Sequence, residues 1–292
     1  MGWKLAFSTL GVPGAPLEEV IGLAQHNGCE GLELRVHPDE FLHLELTDAQ
    51  AAAIGRRVRE AGLEISGLAG YAKVCAPQAD DAVVGEMRGL LRLAEQTGAQ
   101  AVRLFPGGDA ESSAAEHRER ALRRIGAVLP AAKEAGVRLL VETHDSHPTG
   151  AQSLELVAEL GDPEWAAVLW DGLHPWRSGE PPAETKAILG EHFAYFQVKD
   201  AVKRTDEGGA VKWVPMLCGE GQVPLEEQGE LLQDFSGWIS LEWEKAWHPR
   251  IEPLEEALPT AAAWFRRWVP DRSGTPVTWG GDARAPSPDE SG

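Results

Sequence analysis

The chain has 292 residues, 43% of them hydrophobic, and a formal net charge of −19 at pH 7. The acidic residues are spread along the whole chain, which argues against nucleic acid and anionic membranes as partners, because both bind clustered lysine and arginine side chains. The three cysteines form no CxxC pair and no long apolar run occurs, so we expect a reducing, cytoplasmic setting without disulfides, a thiolate zinc site or a membrane span.

Short apolar runs alternate with longer amphipathic segments. The runs predict β-strands at residues 4–8, 31–36, 63–68, 101–105, 137–142, 167–171, 193–198 and 238–242. Between them, stretches such as PLEEVIGLAQHNG and EHRERALRRIGAVLPAAKEAG have the periodicity of helices. Gly28, Gly62 and Gly136 follow three of these helices, where glycine tolerates the left-handed conformation that ends a helix.

Strands that alternate with helices in this way predict a parallel sheet. With eight strands, a closed (β/α)₈ TIM barrel is the expected fold, as a single α/β domain over residues 1–269. The alternative is an open doubly wound sheet, which would need a glycine-rich phosphate turn after its first strand. The segment STLGVPGAP lacks the GxGxxG spacing of that turn, so the barrel is favoured.

Two segments depart from the repeat. Residues 270–292 are rich in proline, glycine, serine and aspartate, which predicts a C-terminal tail that is flexible or lies on the surface. Residues 200–230 are predicted to form a long loop between the last two strands, containing CGEGQVP. Loops of this length inside a compact domain are usually functional.

Polar side chains stand at or near the ends of the last four predicted strands: Glu142, Asp171, Gln197 and Glu242. In a barrel, the carboxyl ends of the strands converge on one mouth. Three carboxylates buried together need protons or a counter-charge, and a divalent cation is the simpler solution. Because all four donors are oxygens, the pattern favours Mn²⁺ or Mg²⁺ over Zn²⁺.

Each of these residues also has an ordinary structural interpretation. Asp171 could cap a following helix, and a lone histidine is usually structural. The convergence of four polar strand ends favours a functional site instead. His174 is predicted to stand at the rim and to donate to a substrate oxygen or to a ligand carboxylate. One of His144 and His147 is expected to enter the pocket, and His248 is a further residue of the rim.

The segments LLVETH, WDGLHP, FQVKDA, CGEGQVP and ISLEWE resemble, in order and spacing, the motifs of the xylose-isomerase-like TIM barrels, the sugar isomerase/epimerase superfamily. The resemblance covers residues 1–269. It implies that Glu142, Asp171, Gln197 and Glu242 hold the metal, that Glu142 and Glu242 act as acid and base, and that His174 contacts the substrate. A histidine is commoner at the position of Gln197, whose carbonyl oxygen can still ligate.

The related apurinic-site endonucleases need further histidine ligands after the third and fourth strands. The chain has GLAGYA and RLFPGG at these places. This difference and the acidic composition argue against DNA repair.

The sequence therefore predicts a metal-dependent isomerase or epimerase of a small polyhydroxy carbonyl compound, of the keto-sugar or sugar-acid type, acting by enediolate proton transfer. Mn²⁺ is the expected ion, with Mg²⁺ or Co²⁺ as alternatives. Arg103, Lys199 and Glu220 are predicted substrate contacts, each with a plain surface role as the alternative.

A dehydratase of an inosose or of a 3-dehydroshikimate type substrate is the first alternative function. A non-catalytic sugar-binding or scaffold protein, and a homo-oligomeric state, also remain open.

Overall fold

A computed structural model describes residues 2–205 and 208–269. The barrel strands are β1 (Lys4–Ser8), β2 (Gly31–Arg35), β3 (Glu64–Lys73), β4 (Ala101–Phe105), β5 (Arg138–Glu142), β6 (Ala166–Asp171), β7 (Phe193–Val198) and β10 (Trp238–Leu241). They close a parallel barrel in the order β1-β10-β7-β6-β5-β4-β3-β2. The predicted single-domain TIM barrel is confirmed. The predicted tail, residues 270–292, lies outside the described residues.

Helices surround the barrel and connect its strands. They are α1 (Leu17–Asn27), α2 (Asp48–Glu60), α3 (Asp80–Thr97), α4 (Ala114–Ala135), α5 (Gly150–Glu155), α6 (His174–Arg177), α7 (Pro182–Leu189), α8 (Leu225–Leu231) and α9 (Leu254–Trp268). Local sequence sets several of their ends. Ser113 and Glu116 form a reciprocal cap at the start of α4, and Gly136 ends the helix at φ 69°. Within the described part of the chain, no helix is both long and apolar enough to cross a membrane.

Alternation along the strands decides which side chains face the barrel interior. In β5, Leu139 and Val141 pack outward in the layer between strands and helices, whereas Leu140 belongs to a small inner cluster. Glu142 has the same phase as Leu140 and therefore also faces inward. The same alternation carries Asp171 on β6 and Gln197 on β7 into the interior, at the carboxyl ends of their strands.

The segment between β7 and β10 is more ordered than the predicted loop. It contains an antiparallel hairpin of β8 (Asp200–Thr205) and β9 (Val211–Met216). Asp200 anchors the turn that follows the hairpin, because its Oδ2 accepts hydrogen bonds from the backbone N–H groups of Gly219 and Gly221, each at 2.9 Å. The prediction of a loop over residues 200–230 was therefore wrong for the hairpin and for α8, which begins at Leu225. The barrel strands were predicted from short apolar runs, whereas β8 (DAVKRT) has no such run and the run in β9 (VKWVPM) is interrupted by Lys212 and Pro215.

Candidate active site

The four polar strand ends meet at the carboxyl-terminal mouth of the barrel. Glu142 ends β5, Asp171 ends β6, Gln197 lies near the end of β7, and Glu242 directly follows β10. All four residues are buried, with at most 4% of their surface exposed. One oxygen atom from each of the three carboxylates lies within 4.8 Å of the other two. The structure thus brings the predicted metal ligands into one small space.

Lys199 places a buried ammonium group among these carboxylates. Its Nζ lies 2.8 Å from Asp171 Oδ2, 2.5 Å from Glu242 Oε2 and 2.8 Å from Glu244 Oε1. Burial alone would favour the neutral amine, but the surrounding carboxylates outweigh burial and hold the pKa of Lys199 well above its ordinary value. Lys199 therefore neutralises part of the negative charge of the mouth.

Arg103, on β4, supplies a second buried positive charge. Its Nη1 donates to Glu142 Oε2 at 3.0 Å and to Glu242 Oε1 at 3.3 Å, and its Nη2 donates to the carbonyl of Gly70 at 2.9 Å. The ring centre of Phe105 lies 4.1 Å from the guanidinium carbon, which is within cation–π range. Sequence reasoning assigned the counter-charge to a metal alone, whereas the fold also supplies it from two cationic side chains.

Asp171 combines the two interpretations that its sequence allowed. Its Oδ1 accepts hydrogen bonds from the backbone N–H groups of Leu173 at 2.8 Å and His174 at 3.0 Å, the N-cap and the first residue of the short helix α6, although Asp171 itself lies two residues before the N-cap. Its Oδ2 faces Lys199 and the mouth. One carboxylate therefore both starts a helix and contributes an oxygen to the site.

Glu33, on β2, is a buried carboxylate of the site that sequence reasoning missed. Its Oε1 accepts from Gln197 Nε2 at 2.9 Å, and its Oε2 accepts from the hydroxyl of Tyr195 at 3.0 Å. Burial, followed by the charge of Glu242, raises the pKa of Glu33. The available signal was charge at alternate positions, Glu33 and Arg35, within a short barrel strand.

Gln197 is held in one orientation by its neighbours. Its Nε2 also donates to Glu242 Oε1 at 3.3 Å. The amide nitrogen of Gln197, and not its oxygen, faces the carboxylates of Glu33 and Glu242, because a carbonyl oxygen in that place would be repelled by both. The carbonyl oxygen Oε1 is thereby left as the free end of the amide.

The two glutamates proposed as acid and base have different surroundings. Burial, only partly offset by Arg103, raises the pKa of Glu142 to about 8. Glu242 instead contacts Lys199 at one oxygen and Arg103 at the other, two contacts that favour the ionised carboxylate. The site therefore contains one carboxyl group, Glu142, that exchanges its proton near neutral pH, and one, Glu242, that is paired with two cationic side chains.

The donor atoms that remain fit a divalent cation. Two buried oxygens, Glu142 Oε1 and Gln197 Oε1, have no hydrogen-bond partner among the described residues, and Asp171 Oδ2 is paired with the ammonium group of Lys199. Leaving such atoms unpaired costs free energy. The mouth also holds more carboxylates than cations: Glu33, Glu142, Asp171, Glu242 and Glu244. Lys199 and Arg103 offset two of these charges, and the raised pKa of Glu142, about 8, keeps that group mostly protonated at pH 7 without metal. A hard divalent ion with oxygen ligands would take the place of that proton.

The site opens into a cavity of about 490 Å³, a volume within the range of small-molecule sites. Its walls combine aromatic and polar side chains, including those of Tyr71, Phe105, Trp247, His144, His174 and Arg177. Tyr71 reaches the cavity because β3 continues to Lys73, five residues beyond its predicted end at residue 68. The extension of β3 thus supplies one aromatic wall of the cavity.

The histidines lie at different depths. His174 is buried, its Nε2 is 3.9 Å from Asp171 Oδ2, and burial, followed by Lys199, lowers the pKa of His174 well below its ordinary value. His144 lines the cavity, with its ring centre 4.5 Å from that of His174. His147 is buried beside Ser146, whose Oγ lies 2.8 Å from its Nδ1. His248 is at the rim, 3.3 Å from Glu244.

The predicted substrate contacts divide into two groups. Arg103 and Lys199 are buried in the site, deeper than a surface role would place them. Glu220 is exposed in the turn after β9, where its N–H donates to the carbonyl of Leu217 at 2.9 Å. Glu220 is not among the described residues that line the cavity, so the structure does not bring it to the mouth.

The fold and the mouth together define a class of protein. The family model of the xylose isomerase-like TIM barrel matches residues 21–268. The chain therefore belongs to that family. A search of the curated proteins gave no match.

Solved structures share the fold at low sequence identity. The probable 3-DHS dehydratase AsbF, involved in petrobactin synthesis in Bacillus anthracis, is 20% identical with a TM-score of 0.73, over 90% of this chain and 98% of that one. The IOLI protein with a bound zinc atom is 16% identical with a TM-score of 0.73, and the match covers 90% of this chain and 96% of that one. A D-psicose 3-epimerase solved with D-fructose is 17% identical with a TM-score of 0.70, and the match covers 91% of this chain and 99% of that one. At these identities the likeness concerns the fold alone.

Proposed function

We propose that the protein is an isomerase or epimerase of a small polyhydroxy carbonyl compound, of the keto-sugar or sugar-acid type, and that it depends on a divalent metal. The observation that carries the proposal is the convergence of Glu142 and Glu242, at the ends of β5 and β10, with Asp171 between them in the barrel order. The enzymes among the structures of similar fold, such as the psicose epimerase, are consistent with a role in carbohydrate metabolism.

The metal ligands in this proposal are Glu142, Asp171, Gln197 and Glu242, and the preferred ion is Mn²⁺ because every donor is an oxygen. A bound divalent ion would act as a Lewis acid on a carbonyl and a neighbouring hydroxyl oxygen of the substrate, and so acidify the C–H bond between them. The remaining chemistry belongs to the side chains of the mouth.

The proton is moved by the two glutamates. Glu242 takes the carbon-bound proton, and Glu142, whose pKa of about 8 lies near neutrality, gives one back on the opposite face of the substrate. Arg103 and Lys199 stabilise the negative charge that develops on substrate oxygens. His174, neutral because of its lowered pKa, donates a hydrogen bond that orients the substrate.

A dehydratase is the second candidate function. Two cationic side chains, Lys73 and Arg177, line the cavity near its opening and are exposed. Cations at this place suit a substrate with a carboxylate, such as 3-dehydroshikimate. In this reaction the same proton abstraction by Glu242 would be followed by loss of a β-hydroxyl, with Glu142 as the acid.

We further propose a reducing, cytoplasmic setting. The three cysteines, Cys29, Cys75 and Cys218, are free, and burial raises the pKa of each thiol to about 12. Thiols of such low acidity stay protonated at neutral pH and are chemically inert, so a structural role explains all three.

The function is tested by incubating the protein with Mn²⁺ and keto-sugars, inososes or 3-dehydroshikimate in D₂O, followed by NMR of the products. We expect deuterium at one carbon of an isomerised or epimerised product. The variants Glu142→Gln and Glu242→Gln should fold and lose turnover, whereas Glu230→Gln, on the exposed face of α8, should not. Near wild-type turnover in either active-site variant would remove the mechanism with two glutamates.

A further inference from the structure

A second group of metal-binding side chains lies in the same mouth and contains nitrogen donors. One ligand atom from each of Glu142, His144 and His174 lies within 4.8 Å of the other two. The rings of His144 and His174 stand at 70° to each other, with their centres 4.5 Å apart. Three side chains from the ends of two adjacent strands therefore converge on one point.

Several polar atoms of this group have no partner. Glu142 is fully buried and His174 is 3% exposed. Glu142 Oε1 and both ring nitrogens of His174 have no hydrogen-bond partner among the described residues. Arg103 binds the other oxygen of Glu142, Oε2, so Oε1 remains available. Unpaired nitrogen and oxygen atoms at this depth require a ligand or water.

Asp145 stands beside His144. Its Oδ2 lies 3.6 Å from His144 Nδ1, beyond hydrogen-bond distance, and Nδ1 has no hydrogen-bond partner among the described residues. Asp145 is the only residue other than glycine with positive φ in the described chain, at 35°, and its Oδ1 accepts from the N–H of Gly107 at 2.9 Å. A carboxylate behind a metal-binding imidazole is a recurrent arrangement, and backbone strain is concentrated at functional sites.

We propose that Glu142, His144 and His174 form a second divalent-metal site, selective for Zn²⁺ or Co²⁺, beside the oxygen site and sharing Glu142 with it. Tetrahedral zinc with ligands at about 2.0–2.1 Å separates its donor atoms by about 3.4 Å, so the three side chains need only small rotations. Two nitrogen donors favour later metals than an all-oxygen site does. The site shares Glu142 and His174 with the proposed function, so zinc bound there would block the acid and the substrate-orienting histidine; the metal-binding test below does not require that function.

The test is metal binding, measured without substrate. Metal-free protein is dialysed against buffered Zn²⁺, and the bound ions are counted. Co²⁺ is then titrated while its visible absorption is recorded, because four-coordinate Co²⁺ absorbs more strongly than octahedral Co²⁺, and the histidine variants show whether that absorption depends on nitrogen ligands. We expect one tightly bound zinc ion at this site in the wild type, apart from any zinc bound weakly by the oxygen site. His144→Gln should weaken the tight binding by at least about 100-fold, since even residues behind a metal ligand contribute 10–100-fold. The control His248→Gln, at the rim of the same mouth, should bind like the wild type.

Two further variants separate this site from the oxygen site. Asp171→Asn should remove the oxygen site and leave the nitrogen-ligated Co²⁺ spectrum, whereas His174→Asn should repeat the loss seen in His144→Gln. Loss of metal in the histidine variants alone would establish the new site even if the proposed oxygen site failed. Unchanged zinc affinity and an unchanged Co²⁺ spectrum in both folded histidine variants would overturn it.

Discussion

Lys199 is the residue that most changes the interpretation of the mouth. Its ammonium group lies between Asp171 and Glu242, two of the carboxylates assigned to the metal. An ammonium and a divalent ion compete for the same oxygens and repel each other at short range. The side chain therefore stabilises the metal-free protein and opposes metal binding.

The substitution Lys199→Met should separate these two effects. Without metal, the variant should be destabilised by about 3 kcal/mol, because breaking a buried ion pair leaves its partners unpaired. Its affinity for Mn²⁺ should rise at least about tenfold, since removal of only 1.4 kcal/mol of repulsion gives that factor. Thermal unfolding and Mn²⁺ titration measure the two quantities. Lys203→Met, on the exposed part of β8, is the control, and equal Mn²⁺ affinity in both variants would contradict the competition.

The pKa of Glu142 predicts how stability depends on pH. Because burial raises this pKa from 4.5 to about 8 in the folded state, the group contributes most stability below pH 4.5 and loses it as the pH rises toward 8. Metal-free protein should therefore lose roughly 2 kcal/mol of unfolding free energy between pH 6 and pH 8. Glu142→Gln should flatten this decline in chemical denaturation at the two pH values. An equally steep decline in the variant would assign it to another group.

At the scale of elements, the barrel strands could be predicted because each is a short apolar run followed by a helix of clear periodicity. The hairpin β8–β9 could not, since it lies outside the barrel and most of its residues are exposed or half-buried. Its position still matters for the cavity. Trp213 on β9 packs against Trp176 of α6 with ring centres 5.3 Å apart, next to Arg177 at the cavity wall.

The anchoring of the hairpin by Asp200 gives a prediction at this scale. A Cβ atom at Gly221 would lie 2.0 Å from Asp200 Oδ1, too close for both atoms to keep their places. Gly221→Ala should therefore destabilise the protein by about 1–3 kcal/mol, as overpacking does. The matched change Gly85→Ala, on α3 with open space around the added carbon, should be neutral or stabilising. Chemical denaturation of both variants measures the difference, and equal stabilities would mean that the turn adjusts freely.

The site was predictable where topology alone places residues. Glu142, Asp171, Gln197 and Glu242 follow from strand ends that converge in any parallel barrel. Glu33 could not be predicted in this way, because it lies within its strand and its role depends on which side chains of β2 face the barrel interior. The pairing of Lys199 and Arg103 with the carboxylates also depends on distances across the barrel, which no local pattern contains.

At the scale of the whole molecule, the acidic mouth belongs to a chain with a formal charge of −19. Such a chain attracts cations in general, so weak, non-specific binding of metal is expected everywhere on its surface. A specific site must be distinguished by saturation and by its dependence on individual ligands. The same distinction separates an enzyme from the non-catalytic scaffold considered from the sequence.

The most direct test of the metal-dependent site is titration of the metal-free protein with Mn²⁺, with free Mn²⁺ followed by electron paramagnetic resonance at 0.15 M salt, where surface binding is screened. We expect saturable binding in the wild type, weakened by about 100-fold or more in Asp171→Asn and unchanged in Asp234→Asn, an exposed aspartate paired with Lys186. Folded wild-type protein with no saturable binding at millimolar Mn²⁺ would contradict it, and Lys199 and Arg103 would then be the counter-charges of a site without metal.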